Sequence, residues 1–210
     1  MSDARLRAFI AIRPSGDLRK ACSEVIEAGC GLPVRWTRPE SVHLTLKFLG
    51  GVPAGAIPGI HQALRQTAEG SPAFSVVARG LGCFPNATRP RVLWMGLDDP
   101  RRELLQLQRR IESALAALGI PPEERPFRPH LTLARARVTR GGKELDVFLN
   151  AYRNHTFGHL VVSQIHLMRS DLHAKGAVHT RLHSVILRGA SINQPSERGG
   201  NDVETNSYNS

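Results

Sequence analysis

Apolar and polar positions change period repeatedly along the chain, and each change marks an element. Residues 7–12 form a short apolar run stopped by Pro14, which predicts a strand. Leu18, Cys22, Val25 and Ile26 recur at helical spacing. Ser15 or Asp17 can cap that helix and Gly29 or Gly31 can end it. Strands are expected at 34–37 and 41–48, a helix on Ile57, Ile60 and Leu64, and strands at 73–79 and 91–97. Leu104, Leu107, Ile111, Leu115 and Leu118 make a long helical stripe that Gly119 closes. A Pro-rich loop leads to a strand at 130–135. A short helix on Leu145, Phe148, Leu149 and Tyr152 follows, and strands at 160–168 and 177–187 finish the pattern.

The order itself repeats. Strand, helix, strand, helix, strand, strand runs from residue 7 to 97, and a shorter second copy runs from 91 to 187. This predicts an α+β fold in one domain, residues 1–190. Two similar lobes would be related by an approximate two-fold axis, each an antiparallel-rich sheet with helices outside, and they would flank a central cleft. Residues 191–210 are rich in Ser, Asn, Gly and charge with little to bury, so a disordered tail is expected.

Composition narrows the setting. No apolar run reaches the roughly 18 residues that a membrane helix needs, and the N-terminus lacks the apolar core of a secretory signal. A cytoplasmic protein without membrane association is the default expectation, and a monomer is the default state for lobes that bury each other. Cys22, Cys30 and Cys83 are few, odd in number and unclustered, which fits neither a disulfide framework nor a zinc site. Lys plus Arg number 28 against 18 Asp plus Glu, a net charge of +10, and 24 of the 28 are Arg. The planar guanidinium fork matches phosphate oxygens, so a polyanion such as nucleic acid is a candidate partner. A solvated arginine-rich surface explains the same count.

The chemistry concentrates in a tetrapeptide, His-Leu-Thr-Leu, that occurs at 43–46 and again at 130–133. Each copy lies in an expected strand, shortly after a proline (Pro39, Pro129), at the same place in the repeated order. Alternation puts His43 with Thr45, and His130 with Thr132, on one face, and leaves the leucines for the core. Two imidazoles and two hydroxyls facing one cleft suit in-line opening of a cyclic phosphodiester. One neutral ring takes a proton from water, and the other, protonated, gives one to the leaving ribose oxygen. The threonines hold the non-bridging oxygens, and no metal is required.

These residues, with the blocks LRAFIAI, PESVHLTLKFLG, LGCFPNATRPRVLWMGL, FRPHLTLAR and GAVHTRLHSVIL around them, resemble the 2H phosphoesterases over about residues 5–188. Within that superfamily the chain is similar to the RNA 2′,3′-cyclic phosphodiesterase branch, also described as 2′–5′ RNA ligase-like. The resemblance implies hydrolysis of RNA 2′,3′-cyclic ends, tRNA fragments among them, to 2′-phosphomonoesters, without a cofactor. It makes His43 the proton donor and His130 the proton acceptor, and it has Thr45, Thr132 and Arg135 bind the phosphate. Strict alternation points Arg135 away from the cleft unless the strand bulges. His179 stands where the family pattern leads one to expect Tyr. Two other readings share these features: a non-catalytic RNA-binding module, and a related phosphodiesterase or 2′–5′ RNA ligase acting on other nucleotides.

Other groups weigh less. His173, His179 and His183 invite a metal reading, but alternation puts Arg181 between two of the rings on one face, which a cation disfavours. His155, His159 and His166 receive no role. Phe48, Phe84 and Trp94 can stack on bases, although core positions are the commoner fate, and Trp94 is expected to be buried. Arg101, Arg102, Arg109 and Arg110 form a basic helix face. That face either tracks a phosphate backbone or is a solvated surface paired with Glu103 and Glu112.

Overall fold

The computed structural model describes residues 4–137, 140–173 and 176–190. The expected tail at 191–210 lies outside them. In chain order the strands are β1 (Arg5–Ile12), β2 (Val34–Trp36), β3 (Leu44–Pro53), β4 (Phe74–Phe84), β5 (Val92–Asp98), β6 (His130–Ala136), β7 (Thr156–Val162), β8 (Gln164–His173) and β9 (Gly176–Ile186). The helices are α1 (Gly16–Ala28), α2 (Ile57–Glu69), α3 (Glu103–Ala116) and α4 (Lys143–Ala151). Gly29 ends α1, one of the two stops the pattern offers. The second HLTL-type strand starts where expected. The first starts at Leu44 rather than at residue 41, because Pro39–Ser41 forms a 3-10 turn.

Hydrogen bonding links the strands in the order β7-β4-β5-β6-β3-β1-β8-β9, with β2 beside β6, and every pairing between these strands is antiparallel. The order is symmetric about the β3–β6 contact. One half reads β3-β1-β8-β9 and the other β6-β5-β4-β7. The α+β fold of two similar halves therefore holds, but the halves are not the two consecutive sequence copies. β4 and β5 belong with β6, and β8 and β9 return to β1. The expected single strand at 160–168 is in fact two, split at Ser163. β7 ends on one side of that residue and β8 begins on the other, at distant places in the order, so the sheet bends round until the two halves meet there. A bridge from Pro72 to Arg188 ties the same end.

One face of this sheet carries the main core. Ile10, Ile12, Leu44, Leu46, Leu93, Met95, Leu131 and Leu133 are all buried in it against Leu18, Ile60, Leu64, Leu107 and Ile111 of the helices. Burial of side chains this size is the chief stabilising term, roughly 1.5–3 kcal/mol each. Two helices cross between the halves: α1, which follows β1, packs on β7, and α3, which follows β5, packs on β3. The halves thus share one core. The opposite face is different. It holds a small separate cluster of Phe9, Ala11 and Met168, and it is the face of the histidines. Among the described residues no helix is long and apolar enough to cross a membrane.

Candidate active site

Leu44 of β3 pairs with Leu131 of β6, and both are buried in the core. Alternation about that pair turns His43, Thr45, His130 and Thr132 onto the other face. All four are half-buried. Two copies of a motif 87 residues apart thus become immediate neighbours where the two halves of the sheet join.

The rings are held alike. His43 Nδ1 lies 2.8 Å from the carbonyl oxygen of Ser41, and His130 Nδ1 lies 2.7 Å from that of Arg128. A carbonyl can only accept, so each Nδ1 carries the hydrogen and donates it. In the neutral ring the lone pair then sits on Nε2, the atom left for chemistry. A phenylalanine also packs on each ring. Phe9 is 4.9 Å from His43, and Phe84 is 5.1 Å from His130 in an edge-on contact. Hydrogen bond and aromatic wall together fix each imidazole's orientation.

Arg135 reaches this face through a bulge. In the β5–β6 register Leu93 pairs with Ala134 and Trp94 with Thr132, so Leu133 is an extra residue. Leu133 and Ala134 are both buried, and the alternation resumes with Arg135 opposite Val92 and exposed. The geometric obstacle seen in the sequence is removed by this one inserted residue. The first motif has the same device. Ile10 pairs with Lys47 and Ala11 with Thr45, so Leu46 is extra and Phe48 emerges, 61% exposed, at the position equivalent to Arg135.

The aromatic candidates surround the site rather than fill the core. Phe84 and Trp94 are half-buried with ring centres 5.3 Å apart, and Phe48 lies 6.4 Å from Phe9. Trp94 is opposite Thr132 on the site face, which corrects the expectation that it is buried. Its indole lies directly over Gly82, where any Cβ would collide with the ring. That is why glycine occupies the position.

His179 joins the site from β9. Its ring is 5.2 Å from His43 and 4.9 Å from Phe9, both edge-on, and its buried Nδ1 has no hydrogen-bond partner among the described residues. His166, given no role from the sequence, also lies on this face, opposite Ala11, with Nδ1 2.8 Å from Ser184 Oγ. The sequence gives no local signal for His166 and marks His179 only as a departure from the family pattern; the pairing of β8 with β1 and of β9 with β8 brings both in. The three-histidine metal reading is not supported. A bulge between Arg181 and His183 sends His183 to the helical side, where it stacks 4.1 Å from His61. Among the described residues no group of three or more His, Cys, Asp or Glu is gathered to hold a metal ion.

Electrostatically the site favours anions. Burial pushes His43 down to about 4. The Ser41 hydrogen bond opposes this, and repulsion from His179, Arg13 and His130 adds to it. Burial also lowers His130, against its bond to Arg128, and lowers His179. His166 falls to about 4 through burial, Arg13 and Arg181. A cluster of suppressed imidazoles among arginines is starved of negative charge, and a bound phosphate would relieve it. Perturbed titration of this kind is typical of functional sites.

Two imidazoles thus lie on one face of a pseudo-symmetric antiparallel sheet, each anchored through Nδ1 to a backbone carbonyl. Residues 35–174 match the profile of the 2′-5′ RNA ligase superfamily. The chain is 33% identical over 178 residues to a curated RNA 2′,3′-cyclic phosphodiesterase of Methanothermobacter thermautotrophicus, covering 84% of this chain and 96% of that protein. It is 30% identical over 186 residues to the one from Aquifex aeolicus, covering 88% and 98%. Among solved structures, TT0787 of Thermus thermophilus superposes with a TM-score of 0.74 at 28% identity, covering 89% of this chain and 100% of that one. Escherichia coli LigT in its apo form shares the fold, with a TM-score of 0.67 at 24% identity over 88% of this chain and 98% of its own. This chain belongs to the 2′-5′ RNA ligase superfamily.

Proposed function

We propose that this chain is an RNA 2′,3′-cyclic phosphodiesterase that opens terminal cyclic phosphates to 2′-phosphomonoesters without a metal. The carrying observation is the pair of equivalently anchored imidazoles, His43 and His130, flanking the join of the two half-sheets. The names of the curated relatives support the substrate class. In the reaction a water oxygen bonds to phosphorus as the bond from phosphorus to the ribose 3′-oxygen breaks. His130 Nε2 takes the proton from the water, and His43 Nε2 supplies one to the departing 3′-oxygen. Thr45 and Thr132 donate to the non-bridging oxygens, and Arg135 neutralises the charge that builds there. The test is incubation with 2′,3′-cyclic AMP and a cyclic-phosphate-ended oligonucleotide, in EDTA, read by phosphorus NMR. A 2′-phosphate product supports the scheme. A 3′-phosphate product would reverse which oxygen is protonated, and no turnover of either substrate would refute the reading.

The pH dependence follows from the two rings. As the acid, His43 must be protonated, and in the free protein that form is lost as pH rises past about 4. As the base, His130 must be neutral, and that form is gained as pH rises through a value below its ordinary 6.5. kcat/KM, which reports the free enzyme, is therefore expected to peak on the acid side of neutrality. Bound phosphate raises His43, so the alkaline limb of kcat is expected at higher pH than that of kcat/KM. Replacing His179 by Tyr removes one repulsion from His43, which enlarges its protonated fraction and should raise kcat/KM on the alkaline side without moving the limb that His130 sets. A peak above about pH 8 would contradict the assignment of the acid.

Arg135→Ala is expected to lower kcat/KM roughly 10- to 100-fold, the scale of one charge-assisted hydrogen bond. Arg135→Lys should recover only part of it, because an ammonium cannot bind two oxygens side by side. Equal activity in all three proteins would remove Arg135 from the site.

A further inference from the structure

At the end of β6 opposite His130 a cleft of about 690 Å³ is lined by Arg89, Pro90, Arg91, Arg135, Ala136, Arg137 and Arg140. Five of the seven lining residues are arginine and none is acidic. Among the described residues none of these guanidinium groups is paired with a carboxylate, whereas Arg38, Arg65 and Arg169 are. The walls are firmly built. Ala136 N donates to Arg91 O at 3.0 Å, and Arg89 N donates to Asn86 Oδ1 at 3.0 Å. Gly141 N donates to Thr88 O at 3.0 Å, and its backbone lies so close to Ala87 O that no side chain fits. The β4–β5 connection is thereby tied to Ala136 and to Gly141, with the five arginines around the cleft. Arg135 belongs to both the cleft and the site, so the two are continuous.

We infer that this cleft binds the phosphate backbone of the substrate RNA on the 5′ side of the cyclic end. The inference rests on the reading given under Proposed function. A 2′,3′-cyclic phosphate closes the 3′ end of a strand, so the rest of the RNA extends only in the 5′ direction from the reacting nucleotide. Its flanking phosphates need a cationic path out of the site. From Thr132 to Arg137 the strand spans roughly 17 Å, too far for a single phosphate to serve both ends. Arginine forks grip phosphate oxygens in pairs, and a row of them without carboxylates suits a polyanion better than an isolated one. The protein is thus built for polynucleotide ends over cyclic mononucleotides.

The test compares a pentanucleotide ending in a 2′,3′-cyclic phosphate with 2′,3′-cyclic AMP, using the full chain and the variant Arg89→Gln/Arg91→Gln/Arg137→Gln. For the unaltered protein the oligonucleotide is expected to have a kcat/KM at least about 10-fold higher at low salt, falling steeply as salt rises. The variant should lose most of that advantage, and its log–log salt slope should become shallower by about 2, near 0.7 for each phosphate contact removed. Its rate on cyclic AMP should be unchanged, which also reports an intact fold. Equal kcat/KM for the two substrates in the unaltered protein would overturn the inference while leaving the proposed activity standing. An equal loss on both substrates in the variant would overturn it as well. Failure of the unaltered protein to turn over either substrate would overturn the proposed activity itself.

Discussion

His43→Ala and His130→Ala are each expected to lower kcat on a 2′,3′-cyclic phosphodiester by about 10²–10⁴-fold, the usual worth of one general acid or base. The two losses should not multiply. Once one ring is gone, proton transfer at that oxygen limits the rate and the second ring has less to act on, so the double variant should fall little below the poorer single one. Both rings lie on the face away from the main core, so the folded state should survive either change. Asparagine makes the sharper control. Its amide can still donate to the carbonyl of Ser41 or Arg128, as Nδ1–H does, but it places no basic atom where Nε2 was. His→Asn should therefore be as inactive as His→Ala. Steady-state rates on 2′,3′-cyclic AMP, with circular dichroism to check folding, decide the matter. An unchanged rate in either alanine variant would show that the ring it lacks transfers no proton.

The largest expected effect on stability lies one residue beyond the first bulge. Lys47 faces the core, its side chain only 1% exposed, and its Nζ is 2.5 Å from Glu112 Oε2 of α3 and 2.8 Å from the carbonyl oxygen of Pro121. Gln108 donates to the other Glu112 oxygen at 2.9 Å. Glu112→Ala strands the ammonium and is expected to cost about 3–5 kcal/mol, the usual penalty for an orphaned buried charge. That is a large share of the roughly 5–15 kcal/mol by which a domain is stable. Lys47→Met should cost less, because Glu112 is 15% exposed and keeps both Gln108 and access to water. The double change Lys47→Met/Glu112→Leu removes both charges and should lie closer to the unaltered protein than Glu112→Ala does. Urea denaturation of the three variants measures this. A Glu112→Ala protein within about 1 kcal/mol of the original would show that the pair is well solvated after all.

That ion pair also marks where pattern reading stops. Glu112 sits in the expected helix, and one of the two readings of that helix face made it a solvated partner for its arginine neighbours. Instead it points inward to Lys47, while Arg110 donates to the Gly70 carbonyl and lies 3.1 Å from Ser71 Oγ. Helical periodicity tells which residues share a stripe and leaves open which neighbour meets it. The same limit explains the division of the sheet. The strand order read along the chain suggested two consecutive copies, but after Ser163 the chain crosses from one half to the other, where β8 pairs with β1 and β9 with β8.

Local sequence determined most of the elements, the helix stops and the pairing of His with Thr on one strand face, because these follow from periods of two and about 3.6 and from glycine and proline. It also determined the duplicated motif, and with it the kind of chemistry to look for. Only the tertiary structure decided that the two copies meet at Leu44 and Leu131, that Phe48 and Arg135 return to the site face, and that His179 and the arginine cleft border it. Bulges and long-range strand pairing control those outcomes. A single extra residue reverses every side chain after it, and its energy depends on the partner strand rather than on the chain's own neighbours.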